Sequence, residues 1–140
     1  MDQVKFFNED LKDLFNNQPF EVAKNLEGDV FREYENRVTK RFEFHQRTYF
    51  IKNHGPVGWR EIVKNLLQIK TPVIGARREY EAIQHLSRNA VQCPKIKGIA
   101  FRGLNPAKSS SFLITEELDS TISLEDFFLK RLHEELSFRD

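Results

Sequence analysis

The spacing of apolar residues changes several times along this chain, and that change limits the folds that the chain can adopt. Phe7, Leu11 and Phe15 recur at helical spacing, whereas Phe42 and Phe44 alternate with polar residues as in a strand. The 140 residues allow one compact core, so these short segments have to pack against one another. Their order is helix, hairpin, helices, hairpin, helix. The pattern predicts an α+β fold in which helices pack on an antiparallel sheet.

Breaker residues and β-branched or aromatic runs set the limits of the predicted elements. The predicted helices cover residues 7–15, 19–26, 59–71 and 76–89, and a further helix begins at Ser123. The predicted strands cover residues 38–44, 48–52, 97–101 and 112–115, with turns at Gly28–Asp29 and at His45. Two apolar stripes are expected to face the core: Trp59, Ile62, Val63, Leu66 and Leu67 on one helix, and Tyr80, Ile83, Leu86 and Ala90 on the next.

Charge is distributed unevenly along the sequence, although the net charge is only +1. Residues 37–78 contain ten Lys or Arg and two Glu, whereas residues 1–36 and 109–140 each sum to −5. The central block favours an anionic partner such as phosphates, nucleic acid or a membrane surface. Its basic residues are spread over several predicted elements with buried aromatics, so no nucleic acid partner is predicted.

Several classes of protein are not favoured by the composition. The apolar runs are far shorter than a membrane-spanning helix, and the acidic start lacks the basic and apolar regions of a signal peptide. The single Cys93 excludes an internal disulfide, which agrees with a reducing, cytoplasmic location. The four histidines fit no metal-binding spacing, so no protein-bound metal is predicted. Thirteen phenylalanines predict an aromatic core.

Lys52 and Glu79 are the two charged residues whose placement suggests chemistry. Lys52 closes a predicted strand on the same side as Phe50, and Glu79 lies on the edge of the buried stripe of a later helix. A strand Lys, a helix Glu, two further strands and an acidic exit are the plan of the smaller lobe of a protein-kinase-like fold. There the Lys holds the α- and β-phosphates of ATP and the Glu holds the Lys. Spacing alone leaves open that both are ordinary solvated residues.

Seven segments, in order, carry a resemblance to one family. They are Leu26–Glu35, Arg41–Glu43, Tyr49–His54, Glu61–Leu67, Pro72–Glu79, Phe112–Leu118 and Thr121–Asp126. In these segments the chain resembles the lipopolysaccharide core heptose(I) kinases of Gram-negative bacteria, from about Phe20 to Phe128. The resemblance implies transfer of phosphate from Mg²⁺-bound ATP to the 4-hydroxyl of the first heptose of the inner core, at the cytoplasmic face of the inner membrane.

The resemblance also implies residue roles in nucleotide binding. Lys52 and Glu79 would be the phosphate-gripping pair, and Glu116, Glu117 and Leu118 would be the hinge whose backbone bonds the adenine. Leu118 and Ile51 would lie near the base. The phosphate-covering loop departs from the protein-kinase pattern, because Gly28 has no second glycine near it. The turn from Glu35 to Val38 is the alternative for that role.

The same resemblance divides the chain into three parts. Residues 1–27 would be a helical N-terminal extension, residues 28–118 the kinase-like N-lobe, and residues 119–140 the exit from the hinge. The catalytic-base Asp and the metal-binding Asp belong to the larger lobe in this fold, so no catalytic residue is expected in this chain. Arg139–Asp140 resembles the end of a kinase catalytic loop only by coincidence. The expectation is a nucleotide-binding lobe, either a fragment or a shortened reading frame, that is inactive alone.

One alternative function stays open from the sequence. The helix that begins at Trp59 is amphipathic and carries Arg60 and Lys64, so it could lie on anionic phospholipid. Packing of that helix on the lobe is the simpler explanation. If catalysis has been lost, the chain would be a non-catalytic, kinase-like binding module at an anionic membrane surface.

Overall fold

The computed structural model describes residues 2–68, 75–105 and 107–118. The elements in chain order are β1 (Gln3–Phe6), α1 (Glu9–Leu14), α2 (Pro19–Asn25), β2 (Asp29–Tyr34), β3 (Arg37–Phe44), β4 (Arg47–His54), α3 (Trp59–Leu67), α4 (Arg77–Arg88), β5 (Ile96–Arg102) and β6 (Ser110–Glu116). All six strands of this part form one antiparallel sheet in the order β1-β5-β6-β4-β3-β2. The predicted α+β class is confirmed.

Local sequence accounts for the element boundaries. The side chain of Asn8 caps α1 by accepting a hydrogen bond from the backbone N–H of Asp10 at 2.8 Å. Pro19 occupies the first turn of α2, where its missing N–H costs nothing. The β3–β4 hairpin turns at His45 and Gln46, whose φ angles are +48° and +61°. Two consecutive positive φ angles give the tight turn that matches the twist of the flanking strands.

The main core lies between the sheet and the pair of helices α1 and α2. Its buried members are Leu11, Phe15, Ala23, Phe42, Tyr49, Ile51, Ala100, Phe112 and Ile114. The rings of Phe15 and Phe112 are 5.5 Å apart, and Phe20 meets Phe112 edge-on at 5.4 Å. Each such aromatic pair adds about 0.5–1.5 kcal/mol beyond its burial. The predicted aromatic core is therefore present.

A second, smaller core lies on the opposite face of the sheet, under α4. Ala76 and Ile83 of this region pack there against Ile99 of β5 and Leu113 of β6. Strand alternation explains the division, because Leu113 points to this face while its neighbours Phe112 and Ile114 point to the main core. The sheet is thus covered by helices on both faces.

Two strands are absent from the sequence prediction. β1 and β2 are the edge strands, and every residue of β2 is exposed. An edge strand with no buried face has no apolar alternation to reveal it. Asp29, expected in a turn, is the first residue of β2. The predicted N-terminal extension is also more closely integrated than expected, because β1 pairs with β5 and the helices α1 and α2 cover the main core.

The apolar stripe of α3 was expected to face the core, and that expectation is wrong. Only Ile62 is buried, whereas Trp59 is 57% exposed and Leu66 60% exposed. The apolar face of the helix is therefore turned largely toward solvent. On α4, Leu86 is likewise 40% exposed. Pro72, expected to end the third helix, and the helix start at Ser123 lie outside the described residues.

In the ranges that the structure describes, every helix is too short or too polar to cross a bilayer.

Gly28 has a steric role that can be tested by substitution. A Cβ at this position would lie 2.4 Å from the carbonyl oxygen of Arg41. We therefore expect Gly28→Ala to lower the free energy of unfolding by about 1–3 kcal/mol, because the β2–β3 pairing must open to accommodate it. Urea titration measures the effect. Glu27→Ala, at the exposed neighbouring residue, should change the stability by less than about 0.5 kcal/mol. Equal stability of both variants would contradict the assigned clash.

Candidate functional site: a cationic cleft beside α4

A cleft of about 500 Å³ opens on the face of the sheet that carries α4. The residues that line it are Phe31, Arg32, Tyr34, Arg37, Thr39, Phe50, Lys52, Asn53, His54, Glu79, Pro94 and Thr115. Among these lining residues, Glu79 is the single acid, against three side chains with a permanent positive charge. The cleft is therefore suited to an anionic ligand.

Strand register sorts the lining residues into rows across the sheet. At the end of the cleft near the C-terminus of β6, Phe50 of β4 is paired with Thr115. The next row consists of Lys52, Thr39 of β3 and Arg32 of β2, which are paired in that order. Residues paired in this way point to the same face of a sheet. Lys52 and Arg32 therefore both face the cleft.

A third row lies two residues further along β4. There His54 is paired with Arg37, and Arg37 is paired with Tyr34 of β2. Rows two residues apart are separated by about 6.6 Å along the strand. The cleft thus runs from an aromatic end at Phe50, through Lys52, to a second cationic position at Arg37.

Lys52 and Glu79 form an ion pair across the cleft. The ammonium Nζ of Lys52 donates to Oε1 of Glu79, which is the carboxylate of the first turn of α4. Both side chains are about one-third exposed, so the pair faces the cleft without being sealed from water. The structure thus joins the two residues that the sequence singled out. Lys52 does not close its strand, however, because β4 continues to His54.

An irregularity in β2 places two consecutive side chains in the cleft. The β2–β3 register shifts between Val30 and Arg32, so Phe31 is the extra residue of a β-bulge. Neighbouring residues of a regular strand point to opposite faces, whereas a bulge re-aims one of them. Phe31 and Arg32 both line the cleft as a result, and the ring of Phe31 meets Phe50 edge-on at 5.5 Å.

His54 is a half-buried histidine at the cationic end of the cleft. Burial lowers its pKa below the ordinary value of 6.5, and the charge of Arg37 lowers it further, whereas Glu79 raises it and Lys52 adds a smaller lowering effect. In the described part of the protein its Nδ1 is buried without a hydrogen-bond partner. His54 is therefore held in its neutral form beside Arg37.

The predicted hinge lies at the other end, and its acidic side chains serve the fold. Glu117 accepts two hydrogen bonds from Arg41, at 3.1 and 3.0 Å, and Glu116 pairs with Lys97 at 2.9 Å and with Arg47 at 3.2 Å. The bond from Lys97 lowers the pKa of Glu116, and the bond from Arg41 lowers that of Glu117. These carboxylates line a separate, polar depression and not the cleft that holds Lys52.

Two backbone groups of this segment are also engaged. The N–H of Glu116 donates to the carbonyl of Lys95 at 2.9 Å, and the N–H of Glu117 donates to the carbonyl of Thr48 at 2.9 Å. These two amides are therefore not open donors for an adenine. Leu118 lines the same polar depression as Glu116 and Glu117. Recognition of adenine by the backbone of this segment stays a prediction.

Ile51 lies elsewhere than the resemblance implied. It is fully buried in the main core, on the face of β4 that packs against α1 and α2. Phe50 is the β4 side chain that lines the cleft at this level. Neighbouring residues of a strand point to opposite faces, so the predicted direction of Lys52 already requires Ile51 to face away from the cleft.

Other lining residues were not singled out by the sequence reasoning. Arg37 is the first residue of the basic block, whereas Arg32 lies in the acidic N-terminal segment. Their common face depends on β2 and its bulge, which the sequence did not reveal. Within residues 2–68, 75–105 and 107–118, no three His, Cys, Asp or Glu side chains lie close enough together to hold a metal ion.

Comparison with protein families and curated proteins gives one consistent result. The model of the lipopolysaccharide kinase (Kdo/WaaP) family matches residues 21–137. The chain is 49% identical over 108 residues to the lipopolysaccharide core heptose(I) kinase WaaP of Escherichia coli K12, covering 77% of this chain and 41% of that protein. For the protein of the same name from Pseudomonas aeruginosa PAO1 the identity is 46% over 120 residues, covering 85% and 45%.

A solved structure shows the same similarity in three dimensions. It is described as WaaP in complex with acyl carrier protein, and it matches with a TM-score of 0.68 and 35% sequence identity. The match covers 89% of this chain and 44% of that one. The chain therefore spans less than half the length of the relatives that it matches.

The neutral state of His54 predicts a pH dependence of stability. The unfolded chain takes up a proton near pH 6.5, whereas the folded chain takes it up only at lower pH. The folded state is therefore more stable at high pH than at low pH. This part of the free energy of unfolding is fully present above pH 6.5 and is lost as the pH falls from there toward the lowered pKa of His54 in the folded state. Urea titrations between pH 7.5 and 5.5 measure this loss. His54→Gln should remove that part of the dependence, while His85→Gln, on the exposed side of α4, should retain it. An unchanged slope in His54→Gln would contradict the assignment.

Proposed function

This chain belongs to the lipopolysaccharide kinase (Kdo/WaaP) family, and from that membership we propose that residues 28–118 form the nucleotide-binding lobe of an ATP-dependent sugar kinase. The acceptor is the first heptose of the lipopolysaccharide inner core, as the names of the curated relatives indicate for those proteins. The observation that carries the proposal is the Lys52–Glu79 ion pair inside a cationic cleft. A strand Lys held by a helix Glu is the arrangement with which kinase lobes bind the phosphates of ATP.

Phosphoryl transfer depends mainly on positioning and on electrostatic stabilisation. In the proposal, the ammonium of Lys52 binds the α- and β-phosphates and Glu79 fixes its direction from α4. Fixed charge of this kind needs little reorganisation during the reaction, which is why it accelerates the step. Mg²⁺ bound to the nucleotide would supply neutralisation of part of the phosphate charge. We expect the catalytic-base Asp and the metal-binding Asp in the part of the longer relatives that this chain does not match, because the kinase plan puts both in the larger lobe.

The direction of the nucleotide follows from the cleft. Its aromatic end, formed by Phe31 and Phe50, lies beside Thr115 and the start of the predicted hinge. We place the adenine there, at the end of the cleft that is nearest to the hinge segment. Leu118 lines the separate polar depression, so its contact with the base stays a prediction. The phosphates then extend along β4 toward Lys52. Phe50 takes the role near the base that the resemblance gave to Ile51.

Kinase activity can be tested in a hybrid protein. This chain replaces the matching segment of the Escherichia coli relative, and transfer of labelled phosphate from ATP to heptose-containing core is measured. We expect Lys52→Ala to lower kcat by about 100-fold or more, because the triphosphate loses its fixed position. Glu79→Gln should have a smaller effect in the same direction. Lys108→Ala, at an exposed loop residue, is the matched control. Full activity in Lys52→Ala would contradict the proposed role.

A specific observation also supports a peripheral contact of this protein with an anionic membrane. Trp59, Val63, Leu66 and Leu67 of α3 are 50–80% exposed, and Arg60 and Lys64 lie on the same helix. An apolar face with flanking cations is typical of helices that lie in the headgroup region of a bilayer. We place α3 against the cytoplasmic face of the inner membrane, where the lipid-linked acceptor would be found.

Vesicle sedimentation tests the membrane contact. Binding to vesicles with phosphatidylglycerol should exceed binding to neutral vesicles, and Lys64→Ala should weaken it about 5-fold, as expected for loss of about 1 kcal/mol of attraction. Leu66→Gln should also weaken it, whereas Leu104→Gln, at a loop residue that is 88% exposed, should not. Equal binding of the Leu66 and Leu104 variants would contradict the role of α3. Vesicle binding without any nucleotide effect on thermal stability would favour the non-catalytic binding module instead.

A further inference from the structure

We propose that Arg37 and Arg32 hold the β- and γ-phosphates of the nucleotide through their guanidinium groups, at the position where protein kinases use a glycine-rich loop. This inference rests on the proposed function, because it assigns the ligand of the same cleft. It adds two binding residues and a different means of holding the terminal phosphates.

The β2–β3 hairpin lacks the glycines of a phosphate-binding, glycine-rich loop. Gly28 lies against the carbonyl of Arg41, so its missing side chain is explained by strand packing and not by a phosphate. The turn itself consists of Glu35 and Asn36, and neither is a glycine. Backbone amides can approach phosphates closely where side chains are absent. This hairpin therefore has to contribute side chains.

The turn is also fastened to the segment that follows β4. The N–H of Gly55 donates to the carbonyl of Asn36 at 2.7 Å, and the side-chain amide of Asn36 donates to the carbonyls of Gly55 and Pro56. These bonds fix the end of the hairpin. Arg37 follows the turn directly, so its backbone position is fixed with it.

The second argument is the position of the two arginines relative to Lys52. Arg32 lies in the same row of the sheet as Lys52, with Thr39 between them. Arg37 lies one row beyond, about 6.6 Å further from the aromatic end along the strand. If Lys52 binds the α- and β-phosphates, a guanidinium one row further meets the γ-phosphate. Arg32 then approaches the β-phosphate from the opposite side.

The third argument is that these two guanidiniums lack acidic partners in the described part of the chain. Several other basic side chains of the sheet are paired with acids: Arg41 with Glu117, Arg47 and Lys97 with Glu116, and Lys52 with Glu79. Neither Arg32 nor Arg37 is within ion-pair distance of an acid among those residues, although Arg37 is half-buried. A partly desolvated positive charge without an acidic partner, such as that of Arg37, is stabilised when an anion binds beside it.

Guanidinium chemistry fits the proposed ligand. Its planar fork binds two phosphate oxygens at once, which adds direction as well as charge. Two such groups and Lys52 surround a triphosphate from three strands. The inference predicts that affinity depends on the number of phosphates and that Arg37 distinguishes ATP from ADP.

Nucleotide binding by the full 140-residue chain tests the inference. Titration calorimetry with ATP, ADP and adenosine, with and without Mg²⁺, should show the tightest binding for ATP. We expect Arg37→Ala to weaken ATP by about 10- to 100-fold, as for loss of a charge-assisted bidentate contact, and to weaken ADP much less. Arg32→Ala should weaken ATP and ADP alike. Lys52→Ala should do the same, and adenosine should bind all variants equally.

Matched variants control for charge and folding. Arg88→Ala removes an exposed arginine at the far end of α4, about 13 Å along the helix from Glu79, and should leave all three affinities unchanged. Arg37→Lys keeps the charge but loses the fork, so its ATP affinity should lie between those of the wild type and Arg37→Ala. Circular dichroism and thermal melts establish folding, and Arg37→Gln replaces Arg37→Ala if the latter does not fold.

The outcomes separate this inference from the proposed function. If Lys52→Ala weakens ATP but the arginine variants bind it as the wild type does, the arginine clamp is overturned and the nucleotide site stands. Equal losses for ATP and ADP in Arg37→Ala would overturn the assignment of Arg37 to the γ-phosphate. If the wild-type chain binds none of the nucleotides, both proposals are overturned for this chain.

Discussion

The Lys52–Glu79 ion pair connects the two parts of the structure on which the cleft depends. Lys52 belongs to a central strand whose opposite face is buried in the main core, so its backbone is held firmly. Glu79 belongs to α4, which packs on the sheet through Ala76 and Ile83. A shift of the helix by one turn would move the carboxylate of Glu79 away from the ammonium of Lys52. Lys52 would then share the cleft with Arg32 and Arg37 without an acidic partner. The position of α4 therefore determines both the packing of the smaller core and the charge balance of the cleft.

Much of the fold could be predicted from the sequence where one side of an element is buried. β4 is an example, since Tyr49 and Ile51 face the main core and Phe50 and Lys52 the cleft, as simple alternation requires. The helix that carries Glu79 was predicted within one residue of its bounds, because its apolar residues recur at helical spacing. Periodicity alone did not predict the pairing of Lys52 with Glu79, which followed from the plan of a kinase lobe.

The rest could not be predicted, for physical reasons. β2 is an edge strand without a buried face, and its bulge at Phe31 depends on the pairing with β3 rather than on any local signal. The common direction of Phe31 and Arg32 was hidden with it. Burial of α3 was predicted wrongly because an amphipathic pattern shows that a helix has an apolar face but not what covers that face.

If this chain binds a nucleotide as proposed, the hydrogen bonds of Asn36 to Gly55 and Pro56 limit how the β2–β3 hairpin can move over it. A flexible flap over bound nucleotide can fold down to shed solvent and lift again to release product. Here the hairpin tip is bonded to the segment that follows β4, so such a flap motion would first have to break those bonds. Exclusion of water from the reacting phosphate would then depend on the larger lobe that the proposed function expects. The rate of turnover would be limited by movement between the two lobes.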